Sequence, residues 1–462
     1  MDDTTTRPVA TTDSPARSRI SGFWYALGAV AGAGLIFRLY IVLIHRETAS
    51  EVGGSVYVLA GDAFFYHWQG RAVGEGLGFV DPVTWRATGD TIPSAGHVPG
   101  YSAFLGLVSF VGADSVTAHR IASSVLGAAV IVLIGLIARR LAGDRAALIA
   151  AVIAAFYPQL WINDGMVLAE PASEFTVALV VLVAYRLWDR RDLLTGVILG
   201  ATIALATLTR SEQVFLFPVL ALPLIYFVGD TWKRRFQLLG AVAIAGAVVM
   251  APWMFRTATS FERPVLLTTG TGGVLSAGSC DGAFYGRFIG YYYNCFEGKA
   301  RGDESERDAQ AREQALDYLE DHTTRLPLVL AARVGRVWGL FKPGQTTALD
   351  WSLEGRGRGA SWMGLFAYYA LMPLAIGGLV VLRKRRVPIW PLVSLAIVVT
   401  LAAITSFGVT RYRAPAEVAI VASAAVAVDA LWRAWSRRRK PAPATDAPPA
   451  PAPAVEAPAH EP

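Results

Sequence analysis

Apolar runs close to the thickness of a bilayer recur along this chain, and short clusters of arginine and lysine separate them. A helix needs about 20 mostly apolar residues to cross about 30 Å of hydrocarbon. Runs near that length fall at 21–44, 119–138, 146–162, 171–188, 194–209, 214–228, 236–253, 361–382, 387–405 and 415–435. The expected fold class is an all-α multi-pass membrane protein. Composition agrees: charged residues make up 17% of the chain, against about 25% in a soluble domain. An ionised side chain in hydrocarbon costs several kcal/mol, so the shortfall is what a bilayer demands. The 13 Trp and 16 Tyr suit the membrane interfaces. The net charge of +6 does not signal nucleic acid, because it lies in the short turns and no basic helix face stands out.

The basic clusters also set an orientation. Arg17 and Arg19 precede the first run, which is too long for the core of a cleavable signal peptide. Further clusters are Arg139, Arg140 and Arg145; Arg186, Arg190 and Arg191; Lys233, Arg234 and Arg235; the 383–386 turn; and Arg433 with Arg437 to Lys440. All fall on one side, the cytoplasmic one, if the chain crosses about ten times. The short run 98–112 must then stay at the outer interface or re-enter without crossing. The amphipathic stretch 326–341, holding Arg333 and Arg336, reads as an interfacial helix. The segment 1–20 is a polar cytoplasmic tail, and the Pro/Ala-rich 436–462 is a disordered cytoplasmic tail.

Two large loops are left outside, 45–97 and 255–361. Polar residues that played no part in the orientation gather on this outer face. Asp62 lies in Gly61-Asp62-Ala63-Phe64-Phe65-Tyr66-His67, and Asp164 and Glu170 lie within 163–171. Arg210 and Glu212 occupy one outer turn, and Arg411 and Arg413 occupy the last. Ionisable groups at membrane level are functional candidates by default. Asp62 reads either as a general base held against its proton donor or as the cap of a short loop helix. Asp164 and Glu170 read as pocket acids or as solvated acids at a helix end. Arg210 reads as a fork for phosphate or as the partner of Glu212. Arg411 and Arg413 read as phosphate ligands or as arginines snorkelling to headgroups. His67 and His97 are weaker candidates: no His/Cys cluster has metal-ligand spacing, although the nearby acids leave a divalent cation compatible with the site.

Cys280 and Cys295, the only cysteines, both fall in the second outer loop. A disulfide is permitted outside the cytoplasm and closes a loop worth about 3 kcal/mol in the chain-entropy model; the other reading is two buried thiols. The aromatics between them, Phe284, Tyr285, Phe288, Tyr291, Tyr292 and Tyr293, pack the loop or line a cleft. No Walker A loop, Gly-x-Ser-x-Gly elbow or HExxH helix is present, which argues against ATP-driven transport and the hydrolases those motifs mark.

Four short motifs together resemble glycosyltransferase family 39 and its relatives, the protein O-mannosyltransferases and lipid A aminoarabinose transferases of the GT-C fold. They are Gly61-Asp62-Ala63 with Tyr66-His67, followed by the 76–79 and 93–101 stretches; Tyr157-Pro158 through Asn163-Asp164 to Glu170; Thr209-Arg210-Ser211-Glu212; and Arg411-Tyr412-Arg413-Ala414-Pro415. His97-Val98-Pro99 stands where the family usually has His-Pro-Pro, and Ala169-Glu170-Pro171 where it has Ser-Glu-Thr.

The resemblance implies a GT-C transmembrane domain over 21–435. It implies a hexosyl- or pentosyltransferase of the plasma membrane with its active site on the extracytoplasmic face. The donor would be a polyprenyl-phosphate-linked sugar, and the acceptor an envelope glycan, a glycolipid or a protein. Asp62 would be the base of an inverting transfer. Asp164 and Glu170 would shape the pocket, and Arg210 with Arg411 or Arg413 would hold the leaving phosphate. The rival readings are a transporter or lipid flippase, which calls for charges near the bilayer midplane and often repeated halves, and a non-catalytic envelope scaffold.

Overall fold

The computed structural model describes residues 15–45, 59, 61–295 and 301–438. The expected tails at 1–20 and 436–462 lie largely outside the described residues, as does most of the start of the first outer loop. Among the described residues the regular structure is helical, with one isolated bridge between Val80 and Pro93.

Among the described residues seven helices are long and apolar enough to cross a membrane: Gly22–Ile44, Val116–Ala142, Glu170–Arg190, Ser211–Val228, Trp232–Ser260, Arg358–Lys384 and Thr410–Arg438. The expected span at 146–162 forms a pair of helices, Asp144–Phe156 and Pro158–Met166, bent by 58°: a broken span or a re-entrant loop. Pro158 offers no N–H to the helix, and it holds Tyr157 in the extended region at φ −72°, ψ 116°. The expected spans at 194–209 and 387–405 form the shorter apolar helices Leu193–Thr209 and Trp390–Thr405. The run 98–112 forms an 11-residue helix, Gly100–Phe110. At 1.5 Å per residue it is about 16 Å long, well short of a crossing.

Local chemistry starts several of these helices. The side chains of Ser115, Asp192 and Thr231 each accept a hydrogen bond from the third residue beyond, satisfying an amide that the helix leaves free. The last helix, Ala414–Arg438, runs through the core, with Val418, Val421, Ala424, Ala425 and Val426 fully buried. Small residues let backbones approach closely, as packing in lipid favours. A Cβ at Gly378 would overlap the Ser423 carbonyl oxygen, and one at Gly200 would overlap that of Val242.

The basic turns meet at one end of the bundle. Arg140 Nε donates to Asp189 at 2.6 Å, and Arg145 and Arg433 both donate to Asp429, at 2.5 and 2.7 Å. Arg191 reaches Asp230 at 3.1 Å. At the other end lie the loop helices Gly61–Gly74, Pro82–Thr88, Thr271–Ala277, Glu304–Asp321 and Pro343–Leu353.

The stretch 326–341 does form a helix, Leu326–Val337, but Arg333 and Arg336 point into the protein and are buried. Arg333 donates to the carbonyls of Gly278 (2.6 Å) and Ile404 (3.0 Å), and Arg336 to that of Ile289 (2.7 Å). Irregular loops leave carbonyl oxygens without partners, and the guanidinium fork supplies several donors at once. The loop so anchored is closed by a disulfide between Cys280 and Cys295. Its aromatics divide: Phe284 packs edge-on against Tyr318 with centroids 5.0 Å apart, and Tyr292 lies against Phe407 at 5.1 Å, whereas Tyr285 and Tyr293 remain exposed.

Candidate active site

Six separate stretches of chain deliver charged side chains to one cluster at the loop end of the bundle. Asp62 enters from the first turn of the Gly61–Gly74 helix, where the helix dipole favours an anion. Gly61 precedes it at φ +54°, a left-handed conformation that glycine adopts without a Cβ clash. Arg411 comes from the single turn Thr410–Arg413 that leads into the last helix. Glu170 opens the Glu170–Arg190 helix, and Arg210 sits just past the end of Leu193–Thr209 in extended backbone.

Arg411 Nη2 donates to Asp62 Oδ2 at 2.6 Å, and His97 Nε2 lies 3.5 Å from Asp62 Oδ1. The His97 ring rests on Phe65 and Tyr66, with centroids 4.7 and 4.8 Å away. Arg411 Nε is 3.9 Å from Glu170 and 3.6 Å from Glu354. Arg210 donates to both Glu170 and Glu212 at 2.5 Å, and its guanidinium lies 5.2 Å from the Tyr412 ring centre. Burial alone would push the Asp62 carboxyl up. The charge of Arg411 and the bond with His97 outweigh burial and hold it well below the usual carboxylate range. Asp62 and His97 are each about 30% exposed, so a substrate can reach them, while Glu170 is 1% exposed.

Sequence reasoning missed part of this cluster. Glu354 and Arg356, paired at 2.9 Å, and Asp350, which accepts from the Thr410 hydroxyl, come from the end of the second outer loop. Burial, then the neighbouring Glu354, pushes the Asp350 carboxyl up to about 7. No motif or period marks these residues. Their one available signal was position, since they immediately precede a span as Arg411 does.

Three expected site residues lie apart from the cluster. Asp164 is buried and accepts from Arg38 Nε at 2.6 Å. His67 faces His119 across 3.1 Å between their Nδ1 atoms, and burial, then His119, pulls its imidazole down to about 3. Arg413 is buried against Glu417 at 2.6 Å and stacks over the Tyr368 ring at 3.5 Å. Among the described residues no three His, Cys, Asp or Glu side chains form a metal-binding group.

The cluster can take a proton at a carboxylate reached from outside, and it can hold an anion on two arginines once their carboxylate partners yield. It sets Asp62, Glu170, Glu212 and Glu354 against Arg210, Arg411 and Arg356.

Comparison with known proteins agrees with this architecture. Residues 96–255 match the model of the dolichyl-phosphate-mannose-protein mannosyltransferase family. No curated protein matches the chain. Among solved structures, the archaeal oligosaccharyltransferase AglB from Archaeoglobus fulgidus, in complex with an inhibitory peptide and a dolichol-phosphate, superposes with a TM-score of 0.52 at 16% identity. That match covers 92% of this chain and 53% of that one. The A. fulgidus oligosaccharyltransferase in complex with Zn and sulfate gives 0.51 at 16% identity, covering 89% and 50%. The chain therefore spans about half the length of the structures it matches. The fold is the one shared with these oligosaccharyltransferases, and the family match covers residues 96–255, about a third of the chain.

Proposed function

We propose that this chain transfers a sugar from a polyprenyl-phosphate-linked donor to an acceptor hydroxyl, with inversion, on the extracytoplasmic face of the plasma membrane. The observation that carries this reading is the 2.6 Å contact of Arg411 with Asp62 inside a cluster that also holds Arg210. In support of it, a carboxylate and two arginines share one cluster, linked through Glu170. The basic turns gather at the opposite end of the bundle, and by the positive-inside rule this supports an outward-facing site.

In this mechanism the acceptor oxygen attacks the anomeric carbon while the bond from that carbon to the phosphate oxygen breaks. The electron pair leaves with the phosphate, and the hydroxyl proton passes to Asp62. Negative charge grows on the phosphate as the bond breaks. Arg411 and Arg210, already fixed by their neighbours, stabilise that charge more in the transition state than in the substrate. The arginines are satisfied by carboxylates before the donor arrives, so binding is an exchange. As the donor phosphate takes Arg411, Asp62 loses the charge that holds its carboxyl down and becomes a stronger base. His97 stays against Asp62 and keeps the carboxylate oriented.

The test is release of free polyprenyl phosphate by the purified protein in nanodiscs, across a panel of polyprenyl-phosphate sugars and with envelope extract as acceptor. Release with one donor that disappears in Asp62→Asn is the expected result. No release from any donor moves the weight to the transporter and scaffold readings.

A further inference from the structure

The second outer loop supports the site from a distance. Residues 94–97 carry His97 to Asp62, yet they form no helix or strand that would hold them. Their backbone is gripped instead by the other loop. Glu304 Oε2 accepts from the Ala95 amide at 2.9 Å, and Glu304 Oε1 accepts from the Ser94 hydroxyl at 3.2 Å, across 210 residues of chain. The Thr268 hydroxyl lies 2.7 and 2.9 Å from the carbonyls of Ala95 and Gly96, and the Thr269 amide donates to Ala95 at 2.9 Å. Arg256 donates to the Ser94 carbonyl at 3.2 Å. There is little room for a side chain at Gly96: a Cβ there would lie 3.0 Å from Glu304 Oε1 and 3.3 Å from the Phe65 ring.

Glu304 is free to do this. It opens the Glu304–Asp321 helix, whose start is already satisfied by Asp303 and Glu306 in a reciprocal capping box. The cap hydrogen bonds at this end are thus made without the Glu304 carboxylate. It is turned toward another segment, where it meets one backbone N–H and one hydroxyl.

We propose that Glu304 is a positioning residue for the transfer reaction, holding the Ser94–Gly96 backbone so that His97 stays against Asp62. The inference rests on the proposed role of Asp62, and its test keeps the two separable. Glu304→Ala is expected to lower kcat about 10- to 100-fold, the scale on which small misplacements near reacting atoms are felt, with KM for the lipid donor little changed. Glu304→Gln keeps one acceptor oxygen for the Ala95 amide and is expected to recover most of the rate. In a His97→Ala background Glu304→Ala is expected to cost less than twofold more, because Glu304 acts through His97.

Nitrogen NMR of labelled histidine in nanodiscs reads the same contact without turnover. The His97 signal is expected to move in Glu304→Ala in the direction it moves in Asp62→Asn. Fully additive losses, a wild-type rate in Glu304→Ala or in His97→Ala, or an unmoved His97 signal would overturn the proposal. Loss of activity in Asp62→Asn is scored separately and reports on the glycosyltransferase reading alone.

Discussion

Arg411 and Asp62 are 349 residues apart in the chain and joined by a 2.6 Å hydrogen bond. Each comes from its own loop at the same end of the bundle, so the pair exists only when first loop, last turn and core are assembled together. In the proposed reaction it is also the partnership that a donor phosphate would break. The arginine that neutralises Asp62 is the one proposed to take the phosphate.

Removing Arg411 therefore has two separable effects. Arg411→Ala is expected to lower kcat/KM by about 10²- to 10³-fold, the usual cost of losing one donor to a developing anion. Arg411→Lys keeps the charge and loses the fork, so it is expected to fall between the two. Steady-state rates with a fixed donor measure both. Equal rates in the alanine variant and the parent would remove Arg411 from the phosphate site.

The pH profile reads the same pair from the other side. Asp62 is held well below the usual carboxylate range. A group depressed in this way stays ionised until pH falls through its lowered pKa. The acid limb of kcat/KM set by Asp62 in the free enzyme is therefore expected below about pH 4. In Arg411→Ala burial remains and the counter-charge is gone, so the limb is expected to move to higher pH. A limb that stays in place would mean that Asp62 is not the base.

Asp350 works in the opposite sense. Burial, then Glu354, raises its carboxyl from an ordinary 3.8 to about 7. The folded protein then holds a proton that the unfolded chain releases. The stability contributed is fully present below the ordinary value and declines as pH rises toward about 7. Melting temperature in detergent is expected to fall between pH 5 and 7 more in the parent than in Asp350→Asn. Parallel curves would show that Asp350 is ionised throughout.

The helices and the end that carries the polar motifs were legible in the sequence because both depend on local signals, apolar length and arginine bias. Asp62, Glu170, Arg210, Glu212 and Arg411, which the sequence reading assigns to one face, meet in one cluster. What the sequence concealed were facts about partners. Periodicity shows that one face of 326–337 is apolar, not that Arg333 and Arg336 meet unsatisfied loop carbonyls. Glu354 and Arg356 reach the cluster through a turn with Gly355 at φ +70°, a shape that no spacing announces. Asp164 has the look of a pocket acid until Arg38, 126 residues away, is seen to hold it.

That Arg38–Asp164 pair yields its own prediction. Both side chains are 1% exposed, and Arg38 also donates to the carbonyls of Ala155 (2.8 Å) and Ala154 (3.2 Å). Arg38→Ala leaves Asp164 buried against Gly127 without its counter-charge and is expected to cost about 3–5 kcal/mol. The joint replacement Arg38→Met with Asp164→Leu removes both charges and is expected to cost much less. Denaturation of the single and double variants separates a structural pair from a substrate contact. If the double variant is stable but no longer binds donor, Asp164 belongs to the pocket after all.

The disulfide bears on the site through one backbone contact. Cys280 and Cys295 close a loop of 15 residues, worth about 3 kcal/mol in the chain-entropy model. Within it the Gly290 carbonyl accepts from the Gly408 amide at 2.8 Å, three residues before Arg411. Replacing both cysteines by serine is expected to lower stability by about that amount and to raise KM for the lipid donor, because the turn carrying Arg411 loses a fixed neighbour. Thermal melts with and without reductant, beside donor titrations, test the two halves separately. A lower melting temperature with unchanged KM would confine the disulfide to loop stability. An unchanged melting temperature would mean that the packing of Phe284 and Ile289 against Val329 and Ala332 holds the loop without it.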